Sequence, residues 1–299
     1  MTRIEIIEVG PRDGLQNQDA ILSTADKLIF VEKLVAAGAR RIEAASFVNP
    51  RRVPQMADAE AVASGLPRGT DVTFIGLVLN ERGVERALAS GIDEIGVVAV
   101  ASDAFGLRNQ KQTSMQSIDV AKAVIRAAKS AGRPVQAMIA TAFGCPFEGE
   151  IPLNRVIAMA TEIAKEGPRE IAFADTVGVG VPAQVKAMIA AVKAELPDMP
   201  LRCHFHNTRN TGIANAFAAV ESGVTRLDAS AGGIGGCPFA PAATGNIATE
   251  DLVYMLERSG FTTGYDLDAL TNLVPWLAER LGLEKLPAMV SRTSPFPPR

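Results

Sequence analysis

Short β-branched runs alternate with longer alanine-rich stretches eight times along this chain, and that alternation restricts the folds open to it. The short runs are Ile4–Val9, Arg41–Ala45, Val72–Val78, Glu94–Val100, Val135–Thr141, Glu170–Ala174, Leu201–His206 and Arg226–Ala229. They read as short, mostly apolar segments, the pattern of parallel strands covered by helices. Helical spacing follows each one. Ser23 or Thr24 caps a helix through Ala36, ended by Gly38. Further helices are predicted at Val53–Ser64, Glu81–Ser90, Ser117–Ala131, Pro152–Glu166, Pro182–Glu195, Thr211–Ser222 and Thr249–Arg258. Gly65, Gly91, Gly132, Gly167, Gly223 and Gly260 follow helix ends, where a left-handed residue is useful. Pro152 and Pro182 suit first-turn positions.

Eight strand–helix units in some 250 residues predict a (β/α)8 TIM barrel. An open doubly wound sheet is the rival, because its local pattern is similar. No G-x-G-x-x-G follows the first strand, which weakens a dinucleotide-binding version of it. No composition break marks a linker, so residues 1–299 are expected to form a single catalytic domain. The barrel takes up residues 3–260, and a C-terminal helix at Asp266–Leu281 packs beside it. The proline-rich tail Ser291–Arg299 is expected to be disordered at its end.

The net charge of −3 gives no electrostatic reason to expect nucleic acid or an anionic membrane as partner. No run of 18 uncharged apolar residues is long enough to span a bilayer. Met1-Thr2-Arg3 leads straight into the first strand with no leader-like segment, and the three cysteines are too few and odd in number for a disulfide framework. The expected location is the cytoplasm.

In a TIM barrel, chemistry gathers at the C-terminal ends of the strands. There the chain places Arg12-Asp13 after the first strand, Glu43 on the second, Asp175 at the end of the sixth, His204 and His206 on the seventh, and Cys237 and Asn246 after the eighth. His204 and His206 are the only histidines. Spaced by two on a strand, they face the same side, and Cys203 and Phe205 face the helices. Asp13 and Asn246 complete a candidate ligand set of two imidazoles, a carboxylate and an amide. That set suits Mg²⁺ or Mn²⁺ better than a closed structural zinc site. Asp13 as a turn residue before Gly14, and Asn246 as part of a helix start before Thr249, are the competing readings. Cys237 sits among Gly232, Gly233, Gly235 and Gly236. It can act in proton transfer if a cation lowers its pKa, or it can be an incidental thiol in a flexible loop. Cys145 and Cys203 read as structural.

Several segments together then narrow the field. They are Val9-Gly10-Pro11-Arg12-Asp13-Gly14-Leu15-Gln16-Asn17, Ile42-Glu43 with Ser46-Phe47-Val48, Gly144-Cys145-Pro146-Phe147-Glu148-Gly149, Asp175-Thr176-Val177-Gly178-Val179-Gly180, His204-Phe205-His206, Gly235-Gly236-Cys237-Pro238-Phe239 and Gly245-Asn246-Ile247-Ala248-Thr249-Glu250-Asp251-Leu252-Val253. At these residues, over nearly its full length, the chain resembles the 3-hydroxy-3-methylglutaryl-CoA lyase family.

The resemblance implies cleavage of 3-hydroxy-3-methylglutaryl-CoA to acetyl-CoA and acetoacetate, with a divalent metal (Mg²⁺ or Mn²⁺). It implies Asp13, His204, His206 and Asn246 as metal ligands and Arg12 as stabiliser of the thioester enolate. Glu43 and Asp175 would be acid–base and positioning carboxylates, and Cys237 a loop residue in proton transfer. Gln16 and Arg209 are substrate-binding candidates. A role in leucine degradation, an acyl-CoA as binding partner and a homo-oligomer, a dimer by analogy, go with it. Arg51, Arg52, Arg108 and Lys111 are candidate contacts for the CoA phosphates, or simply a solvated charged loop.

Leu15 separates this chain from the isopropylmalate and homocitrate synthases, which typically carry an acidic residue there. A Claisen-type synthase on the same barrel is nonetheless one alternative. A pyruvate-handling carboxyltransferase domain is a second, but no strand-end lysine stands out. A barrel kept only for binding is a third. One departure bears on the substrate. Where the family usually continues Asp-Thr-Tyr-Gly-Gln after the histidines, this chain has Asn207-Thr208-Arg209-Asn210-Thr211. The change raises, as an alternative substrate, another 3-hydroxy-acyl-CoA with a differently placed carboxylate.

Overall fold

A computed structural model describes residues 1–236 and 245–296. Eight strands run in chain order around a closed barrel: β1 (Glu5–Glu8), β2 (Arg41–Ser46), β3 (Thr73–Val78), β4 (Glu94–Val100), β5 (Val135–Ala140), β6 (Ile171–Asp175), β7 (Leu201–Phe205) and β8 (Arg226–Ala229). Every neighbouring pair is parallel, and β8 pairs back onto β1 from Glu5↔Arg226 to Glu8↔Ala229. Closure rules out the open doubly wound sheet.

The helices are α1 (Thr24–Ala36), α2 (Ala59–Gly65), α3 (Glu81–Ala89), α4 (Asp103–Asn109), α5 (Ser114–Ser130), α6 (Leu153–Ala164), α7 (Pro182–Glu195), α8 (Gly212–Glu221), α9 (Thr249–Arg258) and α10 (Leu267–Leu281). The local signals that start them are side-chain caps. Ser23 accepts the Asp26 N–H at the head of α1. Thr113 and Gln116 form a reciprocal capping box that begins α5 three residues before the expected Ser117.

Four expectations need correction. The helix predicted over Val53–Ser64 is divided into a 3-10 turn at Pro54–Met56 and α2. Gly65 is the last residue of α2 rather than a left-handed residue beyond it; Leu66 ends the helix in extended backbone because Pro67 follows it. Pro152 is the N-cap of α6, not a first-turn residue, whereas Pro182 does open α7. The short α4, capped by Ser102, was not anticipated: seven residues containing Gly106 are too few to show helical periodicity. The end of the tail, residues 297–299, lies outside the described residues.

The main apolar core lies between strands and helices. Phe30, Val31 and Leu34 of α1 are fully buried in it with Ile42 and Phe74 from the strands. Burying one such side chain contributes about 1.5–3 kcal/mol. α10 packs against α1 and α9 as expected, with Trp276 on Phe30 at 6.2 Å between ring centroids. No helix among the described residues is long and apolar enough to cross a membrane.

The inside of the barrel is filled differently. Arg41 of β2 reaches across to Glu94 of β4 and to Glu170 just before β6, and Arg202 of β7 bonds Gln136 of β5. Contacts between non-adjacent strands are possible only through the interior, so an ionic layer forms the floor. His204 follows Arg202 up the inner face of β7, and His206, just past the strand's end, continues the two-residue step.

Candidate metal centre and active site

Two backbone devices carry the candidate ligands to the mouth. After β1 the chain turns through a single π-helical turn, Gly10–Gly14, with Pro11 at its start, and this turn presents Arg12 and Asp13. Gly14 must lack a side chain, since a Cβ there would lie 2.7 Å from Ile234 of the segment after β8. On the other side, residues 245–247 run antiparallel to the end of β7. The Asn207 N–H donates to the Gly245 carbonyl, and the Ile247 N–H to the Phe205 carbonyl, both at 3.1 Å. That pairing sets Asn246 opposite His206. Asn246 is therefore not a helix-start residue; Ala248 occupies the N-cap of α9.

Asp13, His204 and His206 each offer a ligand atom, and these atoms lie within 4.8 Å of one another. Asn246 Nδ2 donates to Asp13 Oδ2 at 2.9 Å and to the Ile234 carbonyl at 3.1 Å. The amide oxygen is thereby left over, and Asn246 Oδ1 is buried without a hydrogen-bond partner, as is Nδ1 of His206. Buried polar atoms without partners are costly. Two of them beside a carboxylate and a second imidazole fit a hard divalent cation held by nitrogen and oxygen donors.

His204 is oriented by a residue the sequence reading passed over. Its Nδ1 lies 3.1 Å from Asp228 Oδ2, buried on β8, and Arg202 Nε lies 3.3 Å from the other Asp228 oxygen. A carboxylate only accepts, so in the neutral ring the proton sits on Nδ1 and Nε2 keeps its lone pair. Burial works against charge on His204, but Asp228 and Asp13 together outweigh it and raise its pKa above the ordinary imidazole value. His206 is the reverse case: burial, and then His204, push it down to about 4. Burial also opposes the charge of Asp13, yet Arg12 and the two histidines hold it at about 2, a carboxylate at any working pH.

Arg12 is fixed before any substrate arrives. Its Nε donates to Glu43 Oε2 at 2.8 Å, its Nη2 bonds the same oxygen, and its Nη1 donates to Asp13 Oδ1 at 2.6 Å. Burial works against its charge, but Glu43 and Asp13 more than compensate and raise its pKa. Glu43 is shifted up by burial despite Arg12.

Arg12, Asp13, Gln16, His204 and His206 line one cavity of about 930 Å³ over the strand ends. Gln16 Oε1 is buried there without a partner. Arg52 and Arg108 stand on the lining; Arg51 and Lys111 do not. Thr176 lines the cavity too, and its hydroxyl holds the N–H of Thr141 at 2.8 Å. Thr141 has φ 56°, a left-handed conformation that costs a β-branched residue about 1–3 kcal/mol.

Glu43, Asn246, Asp175 and Arg209 do not stand on the lining. Asp175 is fully buried, and its oxygens accept the Val179 and Gly180 N–H groups at 2.9 Å each, so it shapes the turn after β6. Arg209 donates to the Val177 and Gly178 carbonyls at 3.3 and 3.0 Å and touches that same turn. Cys237 lies outside the described residues. Cys145 and Cys203 are buried and free, and Cys145 Sγ lies 2.9 Å from the Ser102 hydroxyl.

In the first turn of α9, Glu250 is fully buried and takes the Gly232 N–H on both oxygens, at 2.9 and 3.1 Å. Burial raises its pKa from 4.5 to about 8. Ionisation is thus harder in the folded chain than in the unfolded one. The stability carried by the neutral acid is complete below pH 4.5 and is lost as pH rises through about 8. In thermal melts from pH 5 to 8.5, Glu250→Gln is expected to lose less stability than the native chain. Parallel curves for the two proteins would refute the assignment.

A family model described as HMGL-like matches residues 3–275. The (R)-citramalyl-CoA lyase of Chloroflexus aurantiacus is 43% identical, over 100% of this chain and 97% of that protein. A hydroxymethylglutaryl-CoA lyase of Bacillus subtilis is 40% identical, over 94% of each chain. Among solved structures, an HMG-CoA lyase from Acinetobacter baumannii in complex with coenzyme A and 3-methylmalate has a TM-score of 0.93 at 39% identity, covering 98% of this chain and 96% of that one.

Proposed function

The chain belongs to the HMGL-like family of carbon–carbon lyases, and from that premise we propose that it cleaves 3-hydroxy-3-methylglutaryl-CoA to acetyl-CoA and acetoacetate with the help of a divalent cation. The observation that carries this reading is the convergence of Asp13, His204 and His206 within 4.8 Å, with the free amide oxygen of Asn246 beside them and Arg12 clamped alongside.

Asp13, His204, His206 and Asn246 would hold Mg²⁺ or Mn²⁺. Such an ion, when bound, polarises the tertiary hydroxyl and a carboxylate of the substrate. The chain's own groups do the rest. The hydroxyl proton leaves to a base, the hydroxyl carbon becomes a ketone, and the bond to the thioester's α-carbon breaks. Its electron pair moves onto the thioester as an enolate, and Arg12 presents a fixed positive charge to the enolate oxygen. Glu43 holds that guanidinium in place. Protonation of the α-carbon completes acetyl-CoA, and Cys237 is the proposed participant in that proton transfer. Gln16, with its unpartnered oxygen in the cavity, is the proposed substrate contact. Asp175 acts by shaping the turn above β6.

A second reading keeps the chemistry and changes the acyl group. The relative acting on (R)-citramalyl-CoA supports it, as does Arg209, which braces the β6 turn in place of the family's usual tyrosine. The two substrates differ by one methylene between the hydroxyl carbon and the distal carboxylate. Purified protein with Mg²⁺ or Mn²⁺ is offered 3-hydroxy-3-methylglutaryl-CoA and both citramalyl-CoA enantiomers. The proposal expects kcat/KM for the first to lead by at least about tenfold, a preference within reach of one methylene. A lead for citramalyl-CoA moves the assignment to the second reading, and turnover of neither refutes both.

A further inference from the structure

Glu8, the last residue of β1, is fully buried and takes no part in the chemistry above. Its Oε1 accepts the Gly10 N–H at 2.8 Å and the Ala231 N–H at 3.0 Å, and its Oε2 accepts the Thr249 hydroxyl at 2.7 Å. All three donors are neutral, and burial pushes its pKa up to about 7 despite them. A buried carboxylate with no cation against it among the described residues is costly to keep.

What distinguishes Glu8 is where the three donors lead. Gly10 opens the turn that presents Asp13. Ala231 begins the segment that reaches Ile234, whose carbonyl fixes the Asn246 amide. Thr249 lies three residues past Asn246 and heads α9. The approach at Gly10 is close: a Cβ there would stand 2.7 Å from Glu8 Oε1.

We infer that Glu8 is a positioning residue for the ion site, tying the Asp13 turn and the Asn246 segment to one carboxylate so that both ligands are set in register. This rests on the ion reading given above. Among the described residues, Asp13 and Asn246 are joined directly by a single hydrogen bond, from Asn246 Nδ2 to Asp13 Oδ2. Without a common anchor, each segment settles by its own packing. The ligand atoms then have to be brought together at the expense of the ion's binding free energy.

The test is equilibrium Mn²⁺ affinity, read by electron paramagnetic resonance with no substrate present, for the native chain and for Glu8→Ala, Glu8→Gln and Thr249→Val. Thermal melts accompany each, and binding is measured well below every melting temperature. Native protein that binds no Mn²⁺ sinks the ion reading itself, and this inference with it, before any variant is compared. With native binding established, Glu8→Ala is expected to raise Kd about 10–100-fold, the usual effect of losing a support behind a ligand. Glu8→Gln should stay within about threefold, because the amide oxygen still takes both N–H groups and the Thr249 hydroxyl can turn to accept. Thr249→Val, which removes one leg and is the milder change, should weaken binding by a few-fold. A folded Glu8→Ala, or Thr249→Val if that variant does not fold, with native Mn²⁺ affinity overturns the inference, whatever its melting temperature. So does a Glu8→Gln as weak as Glu8→Ala.

Discussion

Turnover by His204→Ala is expected to fall by at least about 100-fold, and raising the Mn²⁺ concentration is not expected to restore it fully. His204 supplies one of the three ligand atoms that lie within 4.8 Å of one another. Loss of a group behind a ligand weakens metal binding by about 10–100-fold, so loss of a ligand should reach at least the upper end of that range. A second cost compounds it: Asp228 is 1% exposed and loses the imidazole it orients. Circular dichroism and a thermal melt separate that effect from the ion's, since a folded variant with no turnover assigns the loss to the centre. Turnover within threefold of native would take His204 out of it.

With Mn²⁺ raised until the site is saturated, Arg12→Gln should still lower kcat by about 10²–10³-fold, the usual effect of removing a donor aimed at charge that develops in the transition state. The guanidinium is held through Nε and Nη2 by Glu43 and through Nη1 by Asp13, so no reorganisation is needed when the enolate forms. Because the charge it meets is absent from the ground state, KM should move much less than kcat. Steady-state kinetics with a parallel Mn²⁺ titration gives both numbers. A variant with raised KM and native kcat would make Arg12 a binding group and not a stabiliser of the departing enolate.

The parts of this site that rest on local rules were legible in the sequence. Two-residue spacing put His204 and His206 on one strand face, and eight strand–helix repeats placed that face at the mouth of a closed barrel. Asp13 could be suspected from its place after the first strand. That Asn246 belongs with it depends on residues 245–247 folding back along β7, a pairing that no local pattern encodes. Glu8 and Asp228 were passed over because the strands containing them read as apolar. A charge at an inward position of a strand was the available signal, and it needs the register before it can be used. Arg209 shows the converse. Its place just past the histidines suggested contact with substrate, yet the guanidinium is long enough to turn aside and bind the carbonyls of Val177 and Gly178.

The account depends on four side chains sharing one cation, and crystals grown with Mn²⁺ test this most directly through anomalous scattering. It predicts one strong peak per chain, bonded to Asp13, His204, His206 and the amide oxygen of Asn246. A strong peak elsewhere, with these four groups closed on one another and no ion between them, would contradict it.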